Sequence, residues 1–173
     1  MLRKILLVGV AFIFVLTLLS NCAYAKEAVQ WKTYKGAWFE VFYPSDFVAK
    51  PSLISKNKLN EFDSISFAPL NQSVEFYVFA PLYGYSPEDI GPRSNENQVS
   101  SVEKKKGLII TRTTVYSDKE GKYVRTVIDT TDTGPRNTFA RHCFGFKYSD
   151  KATFEAYNKV FQQFQKSLVQ MEK

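Results

Sequence analysis

Residues 138–168 read TFARHCFGFKYSDKATFEAYNKVFQQFQKSL, and a change of period inside this stretch decides the fold. From Thr138 to Tyr148 the aromatic and apolar residues are spaced as a strand carries them. Beyond Ser149 and Asp150 the spacing becomes helical. At ~100° per residue, Phe154, Tyr157, Val160, Phe161, Phe164 and Leu168 fall within an arc of roughly 120°, while Glu155, Lys159, Gln162, Gln163 and Lys166 point away. Burying six such side chains is worth on the order of 10 kcal/mol before ordering entropy is subtracted, so this helix requires an apolar partner. The strand that feeds it makes that partner a sheet. Ser149 or Asp150 offers an N-cap oxygen to the first unpaired N–H groups, and Lys166 sets a cation near the carbonyl end.

Working outward toward the N-terminus, Asp132-Thr133-Gly134-Pro135 is a turn, and Lys122–Thr131 is a strand joined by Ser117-Asp118-Lys119-Glu120-Gly121 to another over 99–116. A five-residue, glycine-bearing connection is a hairpin signal. Residues 107–148 therefore read as a three-stranded meander, with Lys104-Lys105-Lys106-Gly107 interrupting the strand before it. Ile109, Ile110, Val115, Val124, Val127 and Ile128 are core candidates, and the threonines between them suit a half-exposed sheet. Between Pro81 and Gln98 no period survives. Ser86 and Pro87 fit the Ncap and N1 of one helical turn closed by Gly91-Pro92, and the rest is loop. So long a connection inside a compact domain marks either a binding segment or plain surface.

Phe62–Phe67 and Val74–Phe79 form a second hairpin around Pro69-Leu70-Asn71-Gln72, its second arm apolar enough to lie centrally and be covered on both sides. Gln30–Tyr43 forms a first hairpin across Lys35-Gly36, and Pro44-Ser45-Asp46-Phe47 stops it. The fold class that follows is α+β: an antiparallel β-sheet with a long C-terminal amphipathic helix packed on one face. No repeat, heptad or low-complexity segment is present.

Ahead of this domain, Ile5–Leu19 is an apolar run behind Arg3 and Lys4, followed by Ala23-Tyr24-Ala25, the small-x-small pattern of a signal-peptidase site. The run is shorter than the roughly 20 residues that cross a bilayer core, so residues 1–25 read as a signal peptide cleaved after Ala25. Leu19-Ser20-Asn21-Cys22 is the alternative, a lipoprotein box with lipid on Cys22. Taking residues 1–25 from the 173 leaves 148, residues 26–173, enough for one α+β domain. The sequence thus places the domain outside the cytoplasm, periplasmic or extracellular, with membrane attachment only through Cys22 if it is lipidated. Nucleic acid is disfavoured by the export signal. With Arg3 and Lys4 removed, 21 basic residues face 17 acidic ones, a net charge of +4 that an ordinary solvated surface carries. Cys143 is then the one cysteine left, so no internal disulfide forms and stability rests on packing.

Catalytic patterns are weak. His142 and Cys143 are neighbours on a strand, so imidazole and thiol project from opposite faces and do not meet within the ~2.6–3.2 Å of a proton transfer. One histidine and one cysteine do not furnish a zinc site. Asp129, Asp132 and Gly134 resemble a fragment of a calcium loop without its twelve-residue ligand order, and turn chemistry accounts for them. Gly-rich phosphate loops, nucleophile elbows and dinucleotide fingerprints are absent from the sequence, so no cofactor and no enzymatic activity is expected. Lys104, Lys105 and Lys106 read as a solvated hairpin end. Tyr83, Tyr85 and Arg93 in the long loop, with Arg136 in a turn, are residue types enriched at binding hot spots and are the candidate partner-binding residues.

The stretch Phe39-Glu40-Val41-Phe42-Tyr43-Pro44-Ser45-Asp46-Phe47, the successive antiparallel strands and a final helix closing in Lys166-Ser167-Leu168 resemble the PsbP-like group. Its members pair a strand ending in Tyr-Pro-Ser-x-Trp with a last helix finishing in Ser-Leu; here Phe47 stands at the tryptophan position. The resemblance covers most of residues 30–170. It implies an α/β/α sandwich, an antiparallel sheet with helices on both faces, and a non-enzymatic accessory or binding role, as in exported proteins that include extrinsic subunits of photosystem II. No functional residue carries across. The expected function is accordingly an exported accessory or binding protein of the cell envelope working through a protein partner, or else a carrier of a small apolar ligand, which 24 aromatic residues outside the signal segment would suit.

Overall fold

The computed structural model describes residues 29–83, 85–134 and 140–171. The signal segment, Cys22, Ala25 and Arg136 lie outside the described residues. Ten strands and one helix follow in chain order: β1 (Trp31–Lys35), β2 (Phe39–Pro44), β3 (Val48–Pro51), β4 (Ser64–Ala68), β5 (Val74–Phe79), β6 (Glu96–Lys106), β7 (Ile109–Asp118), β8 (Val124–Asp132), β9 (Ala140–Tyr148), α1 (Lys151–Lys166) and β10 (Val169–Gln170). They form a seven-stranded sheet in the order β3-β4-β5-β9-β8-β7-β6 and a three-stranded sheet in the order β1-β2-β10. Every described pairing is antiparallel.

The expected strand-to-helix pair is present. Asp150 is the N-cap, its carboxylate accepting from the Thr153 N–H at 2.8 Å, and Ser149 supports it from the side. Val160, Phe161 and Phe164 are buried, and Phe154, Tyr157 and Leu168 pack against the same core. The helix ends at Lys166, not Leu168, because the Ser167 hydroxyl turns back to the Phe164 carbonyl at 2.7 Å and also accepts from the Phe42 N–H at 2.9 Å. That capping frees the chain to resume as β10, which pairs Val169 with Glu40 and Gln170 with Phe39. Met171 adds a further bond to the Trp38 carbonyl at 2.8 Å. Residues 169–171 are thereby stitched onto the first hairpin.

One face of the large sheet is closed by α1 together with the small sheet. Ile65 and Phe67 of β4, Val74, Phe76 and Val78 of β5, and Phe144 and Phe146 of β9 meet Phe39 and Val41 of β2 and the helix. Phe76 is the hub: its ring lies 5.2–5.5 Å from those of Phe47, Phe146, Phe161 and Phe164. The opposite face carries Tyr77, Phe79, Tyr116, Val127 and Cys143 and is covered by the connection from β5 to β6, chiefly through Ile90 and Tyr85. The second helical layer implied by the resemblance is therefore replaced, among the described residues, by a loop. β5, buried on both faces, holds the central place its sequence predicts.

Three expectations change in detail. β6 begins at Glu96, inside the stretch read as loop, so the meander has four strands, β6 to β9. The turn expected at Ser86-Pro87 is not helical, and the Ser86 hydroxyl that would cap it accepts instead from Arg141 Nη1 at 2.9 Å. In β7 and β8 the buried residues are Thr114, Tyr116, Asp118, Arg125 and Val127, whereas Ile109 is exposed and Ile110, Val115, Val124 and Ile128 are half-buried. The helix lies over β9, β5 and β2, leaving that face of β7 and β8 less covered. Val127 alone of the six core candidates is fully enclosed.

Phe164 is fully buried among aromatic rings, whereas Lys159 points to solvent. Phe164→Ala is expected to lower unfolding free energy by about 3–5 kcal/mol and Lys159→Ala by less than about 0.5 kcal/mol, measured by urea denaturation.

Candidate functional site

The connection from Ala80 to Asn95 is the longest described irregular segment and holds three of the four candidate residues. It is not loose. Its polar side chains and carbonyls are bound to the sheet beneath by groups that the strand alternation of β5, β8 and β9 points toward it.

Asp89 accepts from the Tyr77 hydroxyl at 2.5 Å and from the Ser64 hydroxyl at 2.9 Å. The Tyr85 hydroxyl donates to Asp63 at 2.6 Å, and its ring stands edge-on to Phe79 at 5.2 Å. Asp63 is wholly buried, and its second oxygen meets no hydrogen-bond donor among the described residues. Both tyrosine hydroxyls titrate well above their ordinary value: burial is the larger cause for each, with Asp89 adding to it at Tyr77 and Asp63 at Tyr85. They remain donors at any physiological pH. Gly145 on β9 permits this approach, since a Cβ there would lie 3.0 Å from that of Tyr77 and 3.3 Å from Ile90 Cδ1.

A second anchor closes the far end. Arg125 of β8 is buried and spends its whole guanidinium on the loop: Nη1 donates to the Ile90 carbonyl and Nη2 to that of Gly91, each at 2.9 Å, while Nε and Nη2 reach Glu96 at 2.8 and 2.5 Å. The ring of Tyr116 lies under the cation at 4.7 Å. Burial alone would raise the Glu96 carboxyl, but Arg125, the Arg93 N–H and the Tyr123 hydroxyl together hold it below its ordinary value. Planar, bidentate pairing of this kind is what guanidinium provides and ammonium does not. Farther along β9, Arg141 grips Asp129 at 2.8 and 2.7 Å and also reaches the Ser86 hydroxyl at 2.9 Å. The recess left between loop and sheet, lined by Glu75, Asp89, Arg93, Arg125 and Lys147 among others, amounts to about 10 Å³, room for one water.

The candidate residues therefore divide. Tyr85 faces inward as an anchor, with Lys56 over its ring at 4.2 Å. Tyr83 is 53% exposed, and Arg93 is exposed while pairing with Glu75 at 3.6 Å. Tyr83 and Arg93 stand on the outer side of one tethered segment; Arg136 lies outside the described residues. Sequence reasoning passed over Asp63, Asp89, Glu96 and Arg125. The signal available was a charged residue interrupting an apolar strand, Arg125 between Val124 and Val127, whereas Asp63, Asp89 and Glu96 gave none.

His142 and Cys143 occupy opposite faces as the strand geometry requires. Burial holds the His142 imidazole below its ordinary value, and Nδ1 lies 3.2 Å from the Gln170 amide oxygen. Cys143 is free and buried, and desolvation pushes its thiol up, so it stays protonated and packs as a small apolar group. Asp129 serves Arg141 and Asp132 accepts from the Gly134 N–H at 2.9 Å, which is turn and strand chemistry. Among the described residues no group of three or more histidine, cysteine or carboxylate side chains converges as a metal site would require.

No protein-family model and no curated protein matches the chain. Solved structures do. The chain is similar to the solution structure of cyanobacterial PsbP (CyanoP) from Synechocystis sp. PCC 6803, with a TM-score of 0.45 and 10% identity over 84% of this chain and 95% of that one. It is similar also to the Saccharomyces cerevisiae Ran-binding protein Mog1p, with a TM-score of 0.41 and 8% identity over 84% of this chain and 97% of that one.

Two outcomes test the anchor. Arg125→Met strands Glu96 as a buried unpaired charge and should cost about 3–5 kcal/mol, part of it recovered when Glu96→Leu is added, the remainder being the Ile90 and Gly91 carbonyls left without their donor, both read from denaturant midpoints. Because the folded Glu96 carboxyl lies below its unfolded value, its contribution is complete above the ordinary 4.5 and is lost as pH falls through the lower folded value. Asp118 and Asp150, also lowered, act in the same direction. Thermal melts from pH 6 to pH 2 should show an acid limb that Glu96→Gln reduces without abolishing.

Proposed function

We propose that this chain is an exported, non-catalytic accessory or binding protein of the cell envelope that acts through protein–protein contact. The observation that carries the reading is the tethered segment from Ala80 to Asn95. A long connection held near its start by Tyr85 with Asp63, in its middle by Asp89 with Tyr77, and toward its end by Arg125 with Ile90, Gly91 and Glu96 presents Tyr83 and Arg93 at little further ordering cost. Tyrosine and arginine on a preorganised support are the chemistry of a contact surface.

A carrier of a small apolar ligand would need a deep pocket between sheet and helix. That space is filled by rings: Phe67, Phe76, Phe144 and Phe146 meet Phe161 and Phe164 with centroids 4.6–6.5 Å apart. A groove of about 210 Å³ lined by Trp31, Phe42, Gln163 and Ser167 lies on the surface and is open. The side chains of the anchor are spent on one another, which supports a binding role over a catalytic one. Export rests on the apolar run and the Ala23-Tyr24-Ala25 pattern.

Affinity capture from the organism's own envelope fraction should retain a partner on the native chain and lose it by roughly thirtyfold with Tyr83→Ala and Arg93→Ala together, each hot-spot side chain contributing about 1 kcal/mol. Retention unchanged by the double variant would overturn the assignment of the surface. Mass spectrometry of the same material should find Lys26 as the first residue, or a diacylated Cys22; an intact Met1 would overturn export.

A further inference from the structure

The tip of the β6–β7 hairpin is the part of the molecule whose chemistry the tethered loop leaves unused. β6 is an edge strand, and after Glu96 every one of its residues is exposed. It ends in Lys104, Lys105 and Lys106, turns through Gly107 and Leu108, and returns as Ile109. Gly107 takes the positive φ of 62° that so short a turn demands. The turn is held in place: the Leu108 carbonyl accepts from the Thr133 N–H at 3.2 Å and from the Thr133 hydroxyl at 3.1 Å.

Two aliphatic side chains therefore sit at the apex on a fixed support, Leu108 49% and Ile109 41% exposed. The lysines ring them. By register Lys104 and Lys106 lie opposite Thr111 and Ile109 on one face of the hairpin, and Lys105, opposite Ile110, lies on the other. Among the described residues no carboxylate pairs with any of the three. Glu103, the nearest acid along the strand, is taken by Arg112 at 2.8 Å, and Asp132, opposite Ile109, accepts from the Gly134 N–H. The tip thus combines an apolar point with three uncompensated cations on both sides of it.

We propose that this hairpin tip docks end-on to a lipid bilayer carrying anionic headgroups. At ~3.4 Å per strand residue the lysines begin within one to three residues of the apex. With the aliphatic tip at the headgroup boundary, ~5–10 Å deep, flexible lysine stems bring their ammonium groups back to the phosphate level. Charge complementarity selects the bilayer over a neutral apolar partner, because an apolar pocket would desolvate three lysines without return.

The test is flotation of the protein as isolated from its own cells with vesicles of phosphatidylcholine alone or with 30% phosphatidylglycerol. Binding is expected to the anionic vesicles and to fall in high salt. Lys104→Gln, Lys105→Gln and Lys106→Gln together should weaken it on the order of 100-fold, since each lysine near an anionic surface is worth about fivefold. Leu108→Ser with Ile109→Ser should weaken it independently. Any contribution of the N-terminal apolar run is common to all variants, so their differences read the tip. As a charge-matched control, Lys151→Gln, Lys159→Gln and Lys166→Gln on the exposed side of α1 should leave binding unchanged. Native binding that ignores phosphatidylglycerol, tip variants that bind like the native chain, or an equal loss in the α1 control would each overturn the proposal. Circular dichroism melts within a few degrees of native establish that every variant is folded.

Discussion

Everything in this structure leans on the burial of β5 from both sides. Phe76 on one face and Phe79 on the other are fully enclosed, one by α1 and the small sheet, the other by a loop. A strand in the middle of an antiparallel sheet ordinarily gives one face to the core and one to water. Here both faces are claimed, so the chain must supply two covers of different kinds. On the helical side the cover is apolar, and ring against ring excludes water with no directional bonds. The loop side is built from hydrogen bonds and ion pairs, because a segment without secondary structure must find partners for its own peptide groups.

That division explains where the polar residues went. Arg125 supplies to Ile90 and Gly91 the donors that a helix would have supplied internally, and Asp89 accepts hydrogen bonds from hydroxyls on β4 and β5. A buried guanidinium–carboxylate pair adds little net stability over a well-packed apolar pair, but it tolerates only one geometry. The outcome is a loop whose exposed residues are held where they are.

Much of this architecture was legible in the sequence. The helical arc from Phe154 to Phe164, a cap at Ser149 or Asp150 and the apolar β5 are local patterns, and local patterns survive folding. Less visible was anything that depends on a partner far along the chain. β10 is two residues that pair only because β2 waits across the end of the helix, and the Ser86 hydroxyl expected to cap a turn accepts instead from Arg141, 55 positions along the chain. The core reading of β7 and β8 erred for the same reason. Alternation shows which residues share a face but not how far a helix or loop reaches across it. Of the candidate site, Tyr83 and Arg93 were readable by type, whereas Tyr85 belongs to the anchor because Asp63 lies beneath it.

The pairing of β10 with β2 also bears on when the molecule can assemble. Phe42 and Ser167 are separated by 125 positions, and the small sheet is complete only when both are present. The N-terminal hairpin leaves the ribosome early and its rings can meet Phe67 of β4 soon after, yet the helix that closes its core and the strand that completes its sheet come far later in the chain. Contacts of such long sequence separation form slowly and late. The small sheet of such a chain is therefore completed only once β10 has been made.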